Sequence, residues 1–162
     1  MDRGYGVAVD SSDNVYLAGY TYSSGAGGND MVLVKYDSSG VQQWDRTWRG
    51  IDSAVGSVLA VDSSDNVYLS GWTISFGEGL FDMVLVKYDS SGVQQWNRTW
   101  GGSSDDEGRG VAVDSSDNVY LSGYTREEEP PPISGYDLLL FISVIGVITA
   151  ITAIFLNKKY KK

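Results

Sequence analysis

A tandem repeat runs through most of this sequence. The string VDSSDNVYL occurs at residues 9–17, 61–69 and 113–121, spaced by 52 residues each time. A second string, DMVLVKYDSSGVQQW, fills residues 30–44 and 82–96 at the same spacing. Residues 8–50 and 60–102 align without a gap and agree at 34 of 43 positions. Such a chain must use one supersecondary unit repeatedly, each copy burying its apolar face against the next.

Each unit reads as four short strands. Residues 6–9 form the first, and Asp10-Ser11-Ser12-Asp13-Asn14 turns the chain, with Asp and Ser bonding their own backbone and Asn tolerating positive φ. The second strand covers residues 15–21, rich in β-branched and aromatic side chains. A Gly/Ser stretch at 23–29 leads to the third strand at 31–36. Asp37-Ser38-Ser39-Gly40 turns again, and residues 41–48 form a fourth, more polar strand suited to an outer edge. No window before Arg126 has a helical period. Four strands in a unit of this length describe a β-propeller blade. A β-solenoid and a β-sandwich are the alternatives, although solenoid coils are usually shorter and sandwiches rarely repeat so closely.

The segments GVAVDSSDNVYLSGYT and DMVLVKYDSSGVQQW resemble the SBBP-type β-propeller repeat of bacterial and archaeal surface proteins, across residues 4–125. The resemblance implies architecture and an extracellular setting, and it supplies no catalytic motif. Residues 37–44 and 89–96 also resemble the tryptophan-docking strand of quinoprotein propellers, which implies that Trp44 and Trp96 pack against a neighbouring blade. The blades are expected at about 4–50, 56–102 and 108–125, the last lacking its outer strands. About two and a half blades do not close a ring, since propellers close with roughly 4–8. Residue 1 enters abruptly and no signal peptide follows it. The expectation is therefore that further blades precede Met1. The competing account is a ring completed by two or three chains through their open blade edges.

The charge is divided sharply. All 21 acidic residues lie between Asp2 and Asp137, and Lys158, Lys159, Lys161 and Lys162 form a basic tip. An acidic body disfavours nucleic acid as a partner. Residues 126–137 read as an acidic, proline-rich spacer. Residues 138–156 are 19 consecutive positions without a charge, about 30 Å as a helix, and read as one transmembrane pass. Residues 157–162 would then be cytoplasmic and the repeats extracellular, as a single-pass protein of the cell membrane. The order of spacer, apolar segment and basic tip resembles archaeal C-terminal anchoring and sorting segments. The motif at 132–137, PISGYD, departs from the Pro-Gly-Phe form.

The chain has no His and no Cys, which removes the commonest general base, thiolate nucleophiles and the commonest soft-metal ligands. No catalytic, cofactor-binding or metal residues are assigned, no cofactor is expected, and the chain is read as not an enzyme. Asp10, Asp13 and Asn14 offer oxygen ligands for Ca²⁺, but the same residues are ordinary turn formers. Tyr20, Trp72 and Tyr124 share one repeat position and read as inter-blade packing, with a sugar-stacking platform as the sharper alternative. Gly146-x-x-x-Ala150 is a weak helix-pairing motif. Asn97-Arg98-Thr99 is an N-glycosylation sequon that the first repeat lacks, having Asp45 there. The expected function is a cell-surface binding or scaffolding module for a protein or glycan. The alternative is an extracellular propeller enzyme, a glycan lyase, hydrolase or quinoprotein-like protein, whose active site lies in other blades.

Overall fold

The computed structural model describes residues 1–22, 28–78, 80–126, 137–145 and 148–156, the last two stretches by their backbone. Residues 1–127 form one compact unit and 128–162 another.

The first unit is all-β and antiparallel. Strands β1 (Arg3–Val9), β2 (Val15–Thr21), β3 (Asp30–Tyr36) and β4 (Gln42–Trp48) pair in sequence order to make blade one. Strands β5 (Ala54–Val61), β6 (Val67–Thr73), β7 (Asp82–Tyr88) and β8 (Gln94–Trp100) repeat that sheet as blade two. Strands β9 (Asp105–Val113) and β10 (Val119–Arg126) form a two-stranded third sheet. The strand β1 begins at Arg3 rather than at the expected residue 6, because a bulge between Gly4 and Gly6 lets pairing continue past Tyr5.

The turn after each first strand shows why the repeated sequence folds this way. Asp10 Oδ1 accepts from the backbone N–H of Ser12 and Asn14, both at 2.9 Å. The residue with positive φ is Asp13 (61°), as are Asp65 and Asp117, and not the Asn that sequence propensity favours. Asp13 donates its N–H to Asp10 O at 3.2 Å, and Asp10 donates to Asn14 O at 3.0 Å, so the left-handed position falls one residue before Asn14. The Asp10 carboxylate also takes Tyr16 Oη at 3.0 Å, with Lys35 Nζ 3.2 Å away. Burial opposes its charge, but hydrogen bonds from Asn14, Ser12 and Tyr16 win and hold it well below the usual carboxylate range.

The core lies between the blades. Tyr16, Ala18, Met31 and Leu33 of blade one belong to one buried cluster with Val67, Leu69, Val84 and Val86 of blade two. Strand β5 packs on β1, β2 and β3, and β9 packs on β5, β6 and β7. Polar ties reinforce this order. Ser11 donates to Asp65 and Ser63 to Asp117, each at 3.1 Å, linking the turn of one blade to the next. Arg46 Nε donates to Gly92 O at 2.7 Å. A Cβ on Gly92 would meet the Trp44 ring at 3.0 Å, so this outer-strand Trp packs on the next blade's turn, as the resemblance implied.

The ends of the run are open. Leu17 is 41 % exposed where its repeat twin Leu69 is 0 %, and Val7 and Val9 are exposed beside it. A trough of about 590 Å³ on this uncovered face of blade one is lined by Leu17, Val32 and Val34. At the other end Tyr120 is 59 % exposed, while Tyr16 and Tyr68 are buried.

In the second unit, β11 (Asp137–Ile145) and β12 (Ile148–Leu156) pair antiparallel. The helix expected over 138–156 is not confirmed, and among the described residues no helix is long and apolar enough to cross a membrane. The physical reason for the competition is composition: Ile142, Val144, Ile145, Ile148, Thr149, Ile151, Thr152 and Ile154 are β-branched and favour extended backbone. Most of the spacer (127–136), the basic tail (157–162) and the Gly146 pairing motif lie outside the described residues.

Candidate ligand-binding site

The two full blades are near-copies, so their differences carry information. Residues 8–17 and 30–44 are identical to 60–69 and 82–96. The differences concentrate at residues 1–7 against 53–59, and at 20, 22, 24, 26, 28 and 29 against their twins. The register brings the described strand positions among them together. Arg3 pairs with Tyr20, Tyr20 with Met31, and Met31 with Trp48. The start of β1, the end of β2 and the start of β3 therefore share one end of the blade. The invariant Asp10 and Asp37 turns occupy the opposite end.

A pocket of about 530 Å³ opens at the divergent end, across all three sheets. Its wall includes Tyr5, Tyr20, Ser57, Trp72, Glu107 and Arg109. Tyr5, Ser57 and Arg109 occupy one repeat position. Each stands at the register shift near the start of an inner strand, where β-bulges re-aim a side chain away from the ladder. Three blades thus present a phenol, a hydroxyl and a guanidinium at equivalent points.

The polar wall is organised by blade three. Tyr124 Oη donates to Glu107 Oε1 at 2.6 Å, and Arg109 ion-pairs with the other Glu107 oxygen. Arg109 also lies over the Tyr124 ring, 5.5 Å from its centroid. This fixes a carboxylate and guanidinium side by side. The apolar wall is aromatic. Tyr5 and Tyr20 meet at 5.9 Å, and Trp72 meets Phe81 edge-on at 4.6 Å. Asn29, Val55 and Val58 complete the lining.

Of the positions singled out in the sequence, Tyr20 and Trp72 do line one pocket, while Tyr124 acts behind it by holding Glu107. Tyr5, Ser57, Glu107 and Arg109 were not singled out. The signal for them was present, because residues 1–7, 53–59 and 105–111 differ from one another while the neighbouring stretch 8–17 is identical to 60–69. The Asp10 and Asn14 side chains turn out to bond each other, and an ammonium already faces Asp10, so this turn geometry supports the turn-forming role. Asp65, the twin of Asp13, binds Ser11 of the preceding blade. Asn97 sits exposed on the outer strand β8, opposite Val86.

Residues 2–25 and 95–127 match the family model described as SBBP beta-propeller repeat. These two stretches are similar to SBBP-type β-propeller repeats. The chain is also 29 % identical over 132 residues to regulatory protein FlaEY of Caulobacter vibrioides, an alignment covering 70 % of this chain and 14 % of that protein. It is 22 % identical over 173 positions to the uncharacterized WD repeat-containing protein L264 of Acanthamoeba polyphaga mimivirus, covering 76 % of this chain and 12 % of that protein. The chain therefore spans about an eighth of the length of these curated relatives.

Proposed function

We propose that this SBBP repeat run is a binding module displayed at the cell surface, with its ligand face at the divergent end of the blades. One observation carries the reading: substitutions between near-identical repeats gather around a concave pocket, and the opposite end is unchanged. Loops on a repeated scaffold are where binding specificity is varied without disturbing the core. The organised Glu107 is already engaged by Tyr124 and Arg109, which suits recognition better than catalysis.

The membrane attachment is part of this proposal. Residues 138–156 lie between an acidic spacer and four lysines. A lone two-stranded unit leaves unpaired N–H and C=O groups along both edges, which hydrocarbon does not satisfy, whereas a helix satisfies all of its own. A bilayer therefore favours the helical form of this segment. The lysine tip orients it with the repeats outside.

The test is a pair of printed arrays, one of saccharides and one of peptides, probed with the full chain in a detergent lacking a sugar head group. Tyr5→Ala and Arg109→Ala alter exposed residues at the divergent end, and Gln43→Ala alters an exposed residue at the invariant end. A ligand lost in the first two variants and kept in the third supports the reading. A ligand indifferent to Tyr5 and Arg109, or lost with Gln43→Ala alone, contradicts it.

A further inference from the structure

We infer that the pocket at the divergent end takes a neutral saccharide; the inference rests on the ligand-face reading above and names its ligand class. Four observations lead there. First, the volume of about 530 Å³ suits a small ring compound rather than a folded partner. Second, Tyr5, Tyr20 and Trp72 give an aromatic wall, with the tilted Tyr5–Tyr20 pair at 5.9 Å forming its blade-one side. The C–H face of a pyranose ring covers such a wall well, because an aromatic ring presents a broad apolar face with negative charge density toward polarised C–H groups.

Third, the polar groups are the complementary kinds. A sugar hydroxyl both donates and accepts. Glu107 accepts and Arg109 donates, fixed side by side with Tyr124 bonded behind them. Ser57 and Asn29 each offer both capacities on the same pocket. Adjacent hydroxyls on a ring match a carboxylate–guanidinium pair in spacing and direction, and bonds to charged groups are the stronger ones. Fourth, the charge selects against anions. The chain carries −9 overall, and the guanidinium in the pocket is already balanced by Glu107. Phosphorylated or sulfated ligands meet that repulsion, and a neutral sugar does not.

The experiment uses the full chain in a detergent without a sugar head group. Neutral oligosaccharides built from glucose, N-acetylglucosamine, mannose or galactose are titrated while tryptophan emission is followed. One of these series should give a saturable change in emission. Trp72→Phe, which keeps an aromatic beside Phe81, should remove most of that change. Tyr5→Ala and Arg109→Ala should each weaken binding by about tenfold or more, roughly 1.4 kcal/mol, with an unaltered thermal melt. The saccharide assignment is overturned if no neutral oligosaccharide changes the emission, or if binding survives both alanine variants at full strength. A peptide that binds and is lost in those variants would overturn the saccharide class alone and leave the ligand face standing. A ligand of any class indifferent to both variants would remove the two together.

Discussion

The repeat supplies its own control for packing energetics, because identical side chains stand in different surroundings. Leu17 and Leu69 occupy the same position in β2 and β6. Leu69 is 0 % exposed between the blades, and Leu17 is 41 % exposed on the open face. Truncating a fully buried Leu to Ala costs about 2–5 kcal/mol through lost transfer energy and the cavity left behind. Leu17→Ala removes atoms already in contact with water, leaves no closed cavity, and should cost about 1 kcal/mol or less. At roughly 4 °C per kcal/mol, Leu69→Ala should melt about 8 °C or more below the parent, and Leu17→Ala within about 4 °C of it. The assay is a thermal melt of the full chain in micelles at low protein concentration. Equal losses in the two variants would show that the outer face of blade one is covered, and would refute the open run of blades described above.

Four further outcomes follow. Since the chain lacks Cys, Ser116→Cys should react with a membrane-impermeant maleimide on intact cells and Lys161→Cys should not; the reverse pattern would invert the proposed topology. Asn97, exposed on β8, should carry a glycan in a host that modifies Asn-x-Thr sites on exported chains, while an Asn97→Gln protein should lose that mass; an unmodified native peptide would remove the site. Gly92→Ala should destabilise more than Gly40→Ala, because both glycines have positive φ but only Gly92 faces an aromatic ring, that of Trp44 at 3.0 Å; equal effects would remove Trp44 from that contact. Stability should fall in acid. Hydrogen bonds from Asn118 hold Asp114 down at about 2, and Asp37 and Asp89 are lowered by their Ser39 and Ser91 hydroxyls. Folded values below the unfolded ones stabilise above about pH 4, and that contribution disappears as the pH falls toward 2. A melting temperature unchanged from pH 5 to pH 2 would contradict these bonds.

How much of this was legible beforehand depends on what kind of signal each feature leaves. The strands were readable, because VYLAGYT and DMVLVKY combine β-branched and aromatic residues between Asp/Ser/Gly turns, and the same reading recurs at fixed spacing. The open ends were readable from counting strands. The left-handed residue of the Asp10 turn was not, since single-residue propensity points to Asn14 while the hydrogen-bond closure selects Asp13. The pocket was half readable. Tyr20 and Trp72 stood out as aromatics in one column. The bulged positions Tyr5, Ser57 and Arg109 have no chemistry in common, so only their divergence marks them. The apolar tail illustrates a different limit: its length and flanking charge are those of the expected membrane helix, while its β-branched content favours the extended backbone that the structure shows.

In the proposed binding mode one end of each blade meets the ligand and the other does not. Hydrogen–deuterium exchange with and without a ligand found on the arrays separates the two ends. Bound ligand should slow exchange at residues 3–5, 20–22, 55–58, 72–74 and 107–109. It should leave the turns at 10–14, 37–41, 62–66 and 89–93 unchanged. Protection centred on those invariant turns, with the divergent end unaffected, would contradict the assignment.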